Sequence, residues 1–302
     1  MAVAAVQLTP ARVWWSAVRP VTLVASVAPV IAGTAVAIDE GGARWWAGLG
    51  ALVVAVALQL GVNFANDYSD YVRGADKRRV GPVRASSSGI VNPEHVRLAA
   101  GAAFGVAALG GLVLSFAIDW RLIFVGAASI LAGWLYTGGP RPYGYLGLGE
   151  VFVFVFFGLV ATVGTVYVET SSIPPLAILV GAGMGFLACA ILVLNNLRDI
   201  ETDAAAGKRT LATLIGRERT RILLMVLVIA AFVVPIAALA FELADENVLV
   251  VLLAAPPAAL PVYIAFVSTG APKLVRALQL MAMTELAYAL LLTLGLLLAS
   301  SR

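Results

Sequence analysis

Two short stretches hold most of the residues able to do chemistry in this chain: "NFANDYSD" at 63–70 and "LNNLRDIETDAAAGKRTLATLIG" at 194–216. The first carries Asn66, Asp67 and Asp70; the second carries Asn195, Asp199 and Asp203. Helical neighbours three and four apart share a face, so each stretch sets a carboxylate pair on one stripe. Four carboxylates in one cavity repel one another unless they are protonated or meet a cation. Oxygen donors without His or Cys select a hard ion, and Mg²⁺ is the expected one, since it leaves positions for water and phosphate oxygens. Lys208 and Arg209 follow the second pair; Asp76, Lys77, Arg78, Arg79 and Arg84 follow the first. Such cations neutralise phosphate oxygens that a metal leaves uncovered. Acids, cations and metal together point to a diphosphate whose remainder is apolar. Basic residues at span ends are expected from topology alone; the repeated Asn–Asp pattern is the sharper signal.

The elements that position these residues are set by composition. Of 302 residues 61% are hydrophobic and 12% charged, and the mean hydropathy is +0.97. Apolar runs of about 20 residues recur, each able to cross a hydrocarbon core about 30 Å thick. Unbroken runs in lipid mean helices, because each backbone must satisfy its own hydrogen bonds. The expected fold is an all-α integral membrane protein of nine transmembrane helices: 20–38, 45–65, 95–117, 121–138, 148–168, 174–196, 220–241, 247–268 and 277–299. A single membrane domain over 1–302 follows. The first span, preceded by Trp14, Trp15 and Arg19, reads as retained with an interfacial segment before it rather than as a cleaved signal.

Charge then orients the chain. All of the 20 Lys and Arg residues except Arg44, Arg121 and Arg302 fall on one side of these spans. By the positive-inside rule that side is cytoplasmic, with the N terminus inside and the C terminus outside. The net charge of +3 therefore reflects topology and excludes no membrane role; nothing in it marks a nucleic-acid surface. Two cytoplasmic connections, 66–94 and 197–219, are long, and each opens with the same Asn-then-Asp device four helices apart. This points to two related halves, with the site where the two loops meet. Pro93 after Asn92 starts a helix, and Pro256, Pro257 and Pro261 predict a kink in the eighth span. Cys189 is the single cysteine, so no internal disulfide exists; within an apolar span it reads as a packed core residue. Glu150 and Glu285, in or beside apolar spans, are open candidates, since buried acids are costly without partners.

"NDYSDYVRGAD" and "DIETD" resemble the two Asp-rich motifs of the UbiA superfamily of intramembrane aromatic prenyltransferases. The resemblance extends through "RPVTL" (19–23), "NDYSDYVRGADKRRVGPVRASSSGIV" (66–91), "YTGGPRPYGYLGLGEVFVFVFFGLVATVGTVYVET" (136–170) and "LNNLRDIETDAAAGKRTLATLIG" (194–216). Within the superfamily it is most similar to the MenA type, which also has glycine at the position of Gly74. Where the superfamily has Tyr-x-x-x-Lys, this chain has Tyr136 with Arg141 five residues on. The resemblance implies a polyprenyltransferase of the cell membrane, facing the cytoplasm. Its donor would be a polyprenyl diphosphate and its acceptor 1,4-dihydroxy-2-naphthoate, with loss of CO₂ and diphosphate to give demethylmenaquinone at its quinol level. It implies that Asp67, Asp70, Asp199 and Asp203 hold Mg²⁺. Asn66, Asn195, Arg84, Arg141, Lys208 and Arg209 would bind the diphosphate, with Lys208 assisting its departure. Tyr68, Tyr136 and Tyr143 would face the allylic cation or the acceptor. The alternatives are the same reaction on 4-hydroxybenzoate, haem or a phosphosugar, or a cation-coupled transporter, whose acids would sit near the bilayer midplane.

Overall fold

The computed structural model describes residues 9–74 and 83–300, and all regular structure among them is helical. Asp76, Lys77, Arg78, Arg79 and Arg302 lie outside the described residues. The helices are α1 Pro10–Val18, α2 Pro20–Asp39, α3 Trp45–Val72, α4 Pro93–Ala117, α5 Leu122–Leu135, α6 Gly149–Thr170, α7 Pro175–Ala205, α8 Leu211–Ala240, α9 Glu246–Val267 and α10 Ala271–Ser300. Among the described residues eight stretches are long and apolar enough to cross a membrane, with α1 and α2 joined as one. The expected fourth span, 121–138, is the shorter apolar helix α5 of 14 residues. It stops before "TGGPRP", where glycines and prolines leave no helical register.

Local chemistry explains the other boundaries. Arg19 closes α1 in the left-handed region at φ 52° and hands over to Pro20, which opens α2. Asn92 caps α4, its side chain accepting from the Glu94 amide at 2.9 Å, with Pro93 in the first turn. The interruption expected in the eighth span is a change of helix type: α9 runs as 3₁₀ from Glu246 to Ala254 and as α from Ala255. Pro256 and Pro257 sit in that first α-turn, where a missing amide hydrogen costs little.

The middle of α6, Phe154–Val160, is π-helical, a wider turn that re-aims side chains and recurs at functional sites. Gly158 lies within it against α7, so close that a Cβ would run into the backbone of Gly181 and Gly185. Only hydrogen fits there.

The core is built round α7. Leu176, Met184, Leu187, Leu194 and Leu197 are buried there against Ala28, Ala32 and Val36 of α2, Leu224 of α8 and Met281 and Tyr288 of α10. A second cluster joins α1, α3 and α4 through Val13, Phe64, Val96 and Phe104. The most extensive helix pairs are α3 with α4 and α7 with α8. Each motif-bearing helix thus packs chiefly on its successor.

Candidate active site

The last turns of α3 and α7 come together at one end of the bundle. Asp70 is their meeting point. Its Oδ1 accepts from the Tyr145 hydroxyl and from Lys208 Nζ, each at 2.8 Å, and its Oδ2 accepts from an Arg84 nitrogen at 3.2 Å. One buried carboxylate therefore ties together three separate connections: the segment after residue 83, the 136–148 loop and the turn after α7. Lys208 also lies over the Tyr145 ring at 4.9 Å, an added cation–π contact. Burial, then the charge of Asp70, raises the Tyr145 phenol above its ordinary pKa, so it stays a donor.

Lys208 reaches Asp70 because α7 ends in a tight turn. Gly207 takes φ 72°, the left-handed conformation that favours glycine, and the Lys208 amide bonds the Asp203 carbonyl at 2.9 Å. On α7 itself, the Arg198 guanidinium bonds both oxygens of Asp199 and, at 2.8 Å, Asn195 Oδ1. On α3, Asn66 Oδ1 accepts from the Thr137 hydroxyl at 2.6 Å. Asn196 donates to Glu150 Oε1 at 3.1 Å, which gives the buried Glu150 a partner just behind the site.

These groups form the mouth of a cavity of about 330 Å³. Asn66, Asp70, Arg84, Asn195, Asp199, Asp203 and Lys208 all line it. Below them the wall becomes aromatic, then aliphatic. Tyr136 meets Tyr143 edge-on at 5.4 Å, Tyr143 stacks on Phe152 at 3.8 Å, and Phe152 on Phe156 at 6.1 Å, all four lining the cavity. The π-helical turn supplies Phe156, Phe157 and Val160 to this wall. Val54, Leu58, Val125 and Ile130 complete the apolar depth.

Not every residue expected at the site is brought to it. Asp67 is fully buried but faces away: its two oxygens accept from the Ala85 and Ser86 amides at 2.9 and 2.8 Å, and it does not line the cavity. The reason is helical phase. Asp70 stands four residues after Asn66 and shares its stripe; Asp67 sits beside that stripe, under the loop that carries Arg84. Arg141 and Arg209 are exposed and outside the cavity wall, and Tyr68 instead donates to Glu94 at 3.2 Å. Glu285 is buried on α10, away from the cavity wall.

Arg198, Thr137 and Tyr145 were not singled out from the sequence. Arg198 had a visible signal, since it stands between Asn195 and Asp199; Tyr145 did not, because a loop tyrosine gives no phase. As for a metal, Asp70, Asp199 and Asp203 with Asn66 and Asn195 offer a hard, all-oxygen donor set. Among the described residues no three acids, histidines or cysteines converge closely enough to enclose an ion by themselves. Mg²⁺ commonly takes one or two carboxylates and fills its remaining positions with water and substrate oxygens.

Comparison with known proteins agrees with this architecture. Residues 26–287 match the UbiA prenyltransferase family. A 1,4-dihydroxy-2-naphthoate octaprenyltransferase of Mycobacterium tuberculosis is 51% identical over 210 residues, covering 70% of this chain and 72% of that protein. One of Haemophilus influenzae is 36% identical over 306 residues, covering 95% and 96%. Among solved structures, a UbiA homologue of Archaeoglobus fulgidus bound to GPP and Mg²⁺ superposes with a TM-score of 0.61 at 16% identity, covering 92% of this chain and 99% of that one. A digeranylgeranylglyceryl phosphate synthase gives 0.60 at 13% identity, covering 95% and 98%; at these identities the likeness is one of fold. With a family match over most of its length and an aspartate-lined cavity at the end of a helical membrane bundle, this chain belongs to the UbiA prenyltransferase family.

Proposed function

We propose that this membrane prenyltransferase transfers a polyprenyl group from its diphosphate to 1,4-dihydroxy-2-naphthoate, with loss of CO₂, from the cytoplasmic face of the cell membrane. The observation that carries this reading is the cavity itself: acids, amides and cations at the mouth, aromatics below them, and an aliphatic depth. A diphosphate with a long hydrocarbon matches that order from head to tail. The identity with named naphthoate octaprenyltransferases selects the acceptor.

The residue roles follow from the contacts. Asp70, Asp199 and Asp203, with the amide oxygens of Asn66 and Asn195, would hold Mg²⁺ against the diphosphate, an ion that when bound stabilises charge on the leaving oxygens. Lys208 and Arg84 already donate to a carboxylate at that place. Their donors serve diphosphate oxygens equally, so they bind the donor and assist departure. Asp67 is assigned to positioning: by fixing the Ala85 and Ser86 amides it holds Arg84 at the mouth. The faces of Tyr136, Tyr143 and Phe152 supply quadrupole attraction for the allylic cation. The aliphatic wall keeps water from capturing it. The electron-rich ring of the acceptor then attacks the cation, and CO₂ leaves.

Membranes containing the protein, given a labelled polyprenyl diphosphate, should form a Mg²⁺-dependent product with dihydroxynaphthoate whose mass lacks the carboxyl group. A product from 4-hydroxybenzoate and none from dihydroxynaphthoate would reassign the acceptor.

A further inference from the structure

Behind the mouth, on the α2–α3 side of the cavity, lies a chain of buried polar groups. Asn63 Nδ2 donates to the Val18 carbonyl at 2.9 Å and to the Thr22 hydroxyl oxygen at 3.1 Å. Because a backbone carbonyl can only accept, this contact fixes the Asn63 amide with its nitrogen toward α1 and its Oδ1 toward Gln59. Gln59 Nε2 then donates to Asn63 Oδ1 at 2.9 Å, with Thr22 Oγ1 at 3.4 Å. The orientation of the Gln59 amide is thereby dictated from a main-chain atom, two hydrogen bonds away. With its nitrogen committed, Gln59 has Oε1 as its one remaining polar atom. Gln59 is 5% exposed and lines the cavity.

Its depth matters. Asn66 is seven residues further along α3, about 10 Å nearer the mouth. Beyond Gln59, every α3 residue on the cavity wall is apolar: Leu58, Ala55, Val54 and Ala51. Gln59 thus carries the deepest polar group that α3 offers, a carbonyl acceptor beyond which the α3 wall is apolar. An acceptor that faces a largely apolar cavity is poorly solvated and gains when a donor meets it.

We infer that Gln59 Oε1 accepts a hydrogen bond from the 4-hydroxyl of the naphthoate, and so selects a dihydroxylated ring over a monohydroxylated one. This rests on the acceptor proposed above. The ring's chemistry assigns the hydroxyl. The 1-hydroxyl lies beside the 2-carboxylate and bonds to it internally. The 4-hydroxyl lies on the far side of the same ring, free to donate. With the carboxylate drawn toward the cationic mouth, the 4-hydroxyl is the donor that enters deepest. Gln59 is then a specificity-determining residue, kept in orientation by Asn63 and Thr22.

The test compares 1,4-dihydroxy-2-naphthoate with 1-hydroxy-2-naphthoate and with the 4-methoxy analogue, as substrates and, separately, as ligands of the purified protein followed by the fluorescence of the naphthalene. The wild type should favour the dihydroxy compound over both by about tenfold, the scale of one buried hydrogen bond. Gln59→Met, of similar shape, should lose that preference through the acceptor KM and leave the donor KM unchanged. Equal handling of the three compounds by the wild type overturns the inference, whether or not the variant folds. An unchanged preference in folded Gln59→Met overturns it as well. If the wild type binds the dihydroxy ring preferentially but prenylates none of the three, the proposed reaction falls while the role of Gln59 in binding stands.

Discussion

At the scale of single residues, the two aspartates of the first motif do different work. Asp70 gathers Lys208, Arg84 and Tyr145 at the mouth. Asp67 never reaches it and holds two backbone amides instead. Their neutral variants should therefore fail differently. Asp70→Asn and Asp199→Asn should lower turnover by about a hundredfold or more, since each removes charge from the place where leaving-group charge must be stabilised. Both should still insert in the membrane, as shown by their yield in washed membrane fractions. Asp67→Asn should instead loosen the Arg84 segment, because an asparagine nitrogen cannot accept from a backbone amide. Leaving that donor unmet costs about 1–3 kcal/mol. The expected readout is faster proteolytic cleavage near residue 84 and a raised donor KM, with the Mg²⁺ requirement of turnover unaltered. A Mg²⁺ requirement shifted as in Asp70→Asn would return Asp67 to the metal-binding set.

At the scale of elements, the motifs could be read from sequence because period and polarity are local. Asn66 to Asp70 and Asn195 to Asp199 are each one helical step, and both ends of that step line the cavity. The basic residues could not be sorted that way. Arg209 follows Lys208 directly, yet Lys208 reaches Asp70 and Arg209 is exposed. The turn at Gly207 decides between them, and a turn's direction is set by what it packs on. The π-helical turn in α6 was equally silent: no pattern in "FVFFGLV" marks it, and we attribute it to the close contact of Gly158 with α7. Gly158→Ala tests that cause. The added methyl meets the α7 backbone and should destabilise by about 1–3 kcal/mol, the usual scale of overpacking. A lowered unfolding temperature in detergent would show it; an unchanged one would mean that α6 and α7 separate freely at this level.

At the scale of the whole molecule, the all-helical class followed directly from composition. The number of spans did not follow so cleanly, because 121–138 looked long enough to cross whereas α5 has 14 residues. By the positive-inside rule the Asp-rich end is expected in the cytoplasm, and Cys189 makes this simple to check. It is buried, so it should not react with a membrane-impermeant maleimide. Ala206→Cys, exposed beyond α7, should label only from the cytoplasmic side; Gly42→Cys, exposed between α2 and α3, should label only from outside. The reverse pattern would invert the topology and put the diphosphate site on the other face.

The shortness of α5 has a mechanical meaning for the bilayer. Fourteen residues rise about 21 Å, against a hydrocarbon thickness of about 30 Å. One face of α5 lines the cavity through Gly126, Ile130 and Gly133, while Phe124, Leu131 and Trp134 are exposed on the outside of the bundle. A helix this short is met by thinning of the surrounding lipid, by snorkelling of flanking residues or by association with a neighbour. For the proposed polyprenyl diphosphate donor, lipid thinned at α5 would draw the water boundary inward toward the aspartates. Its charged head would then reach the site with less dehydration while its tail stayed in hydrocarbon.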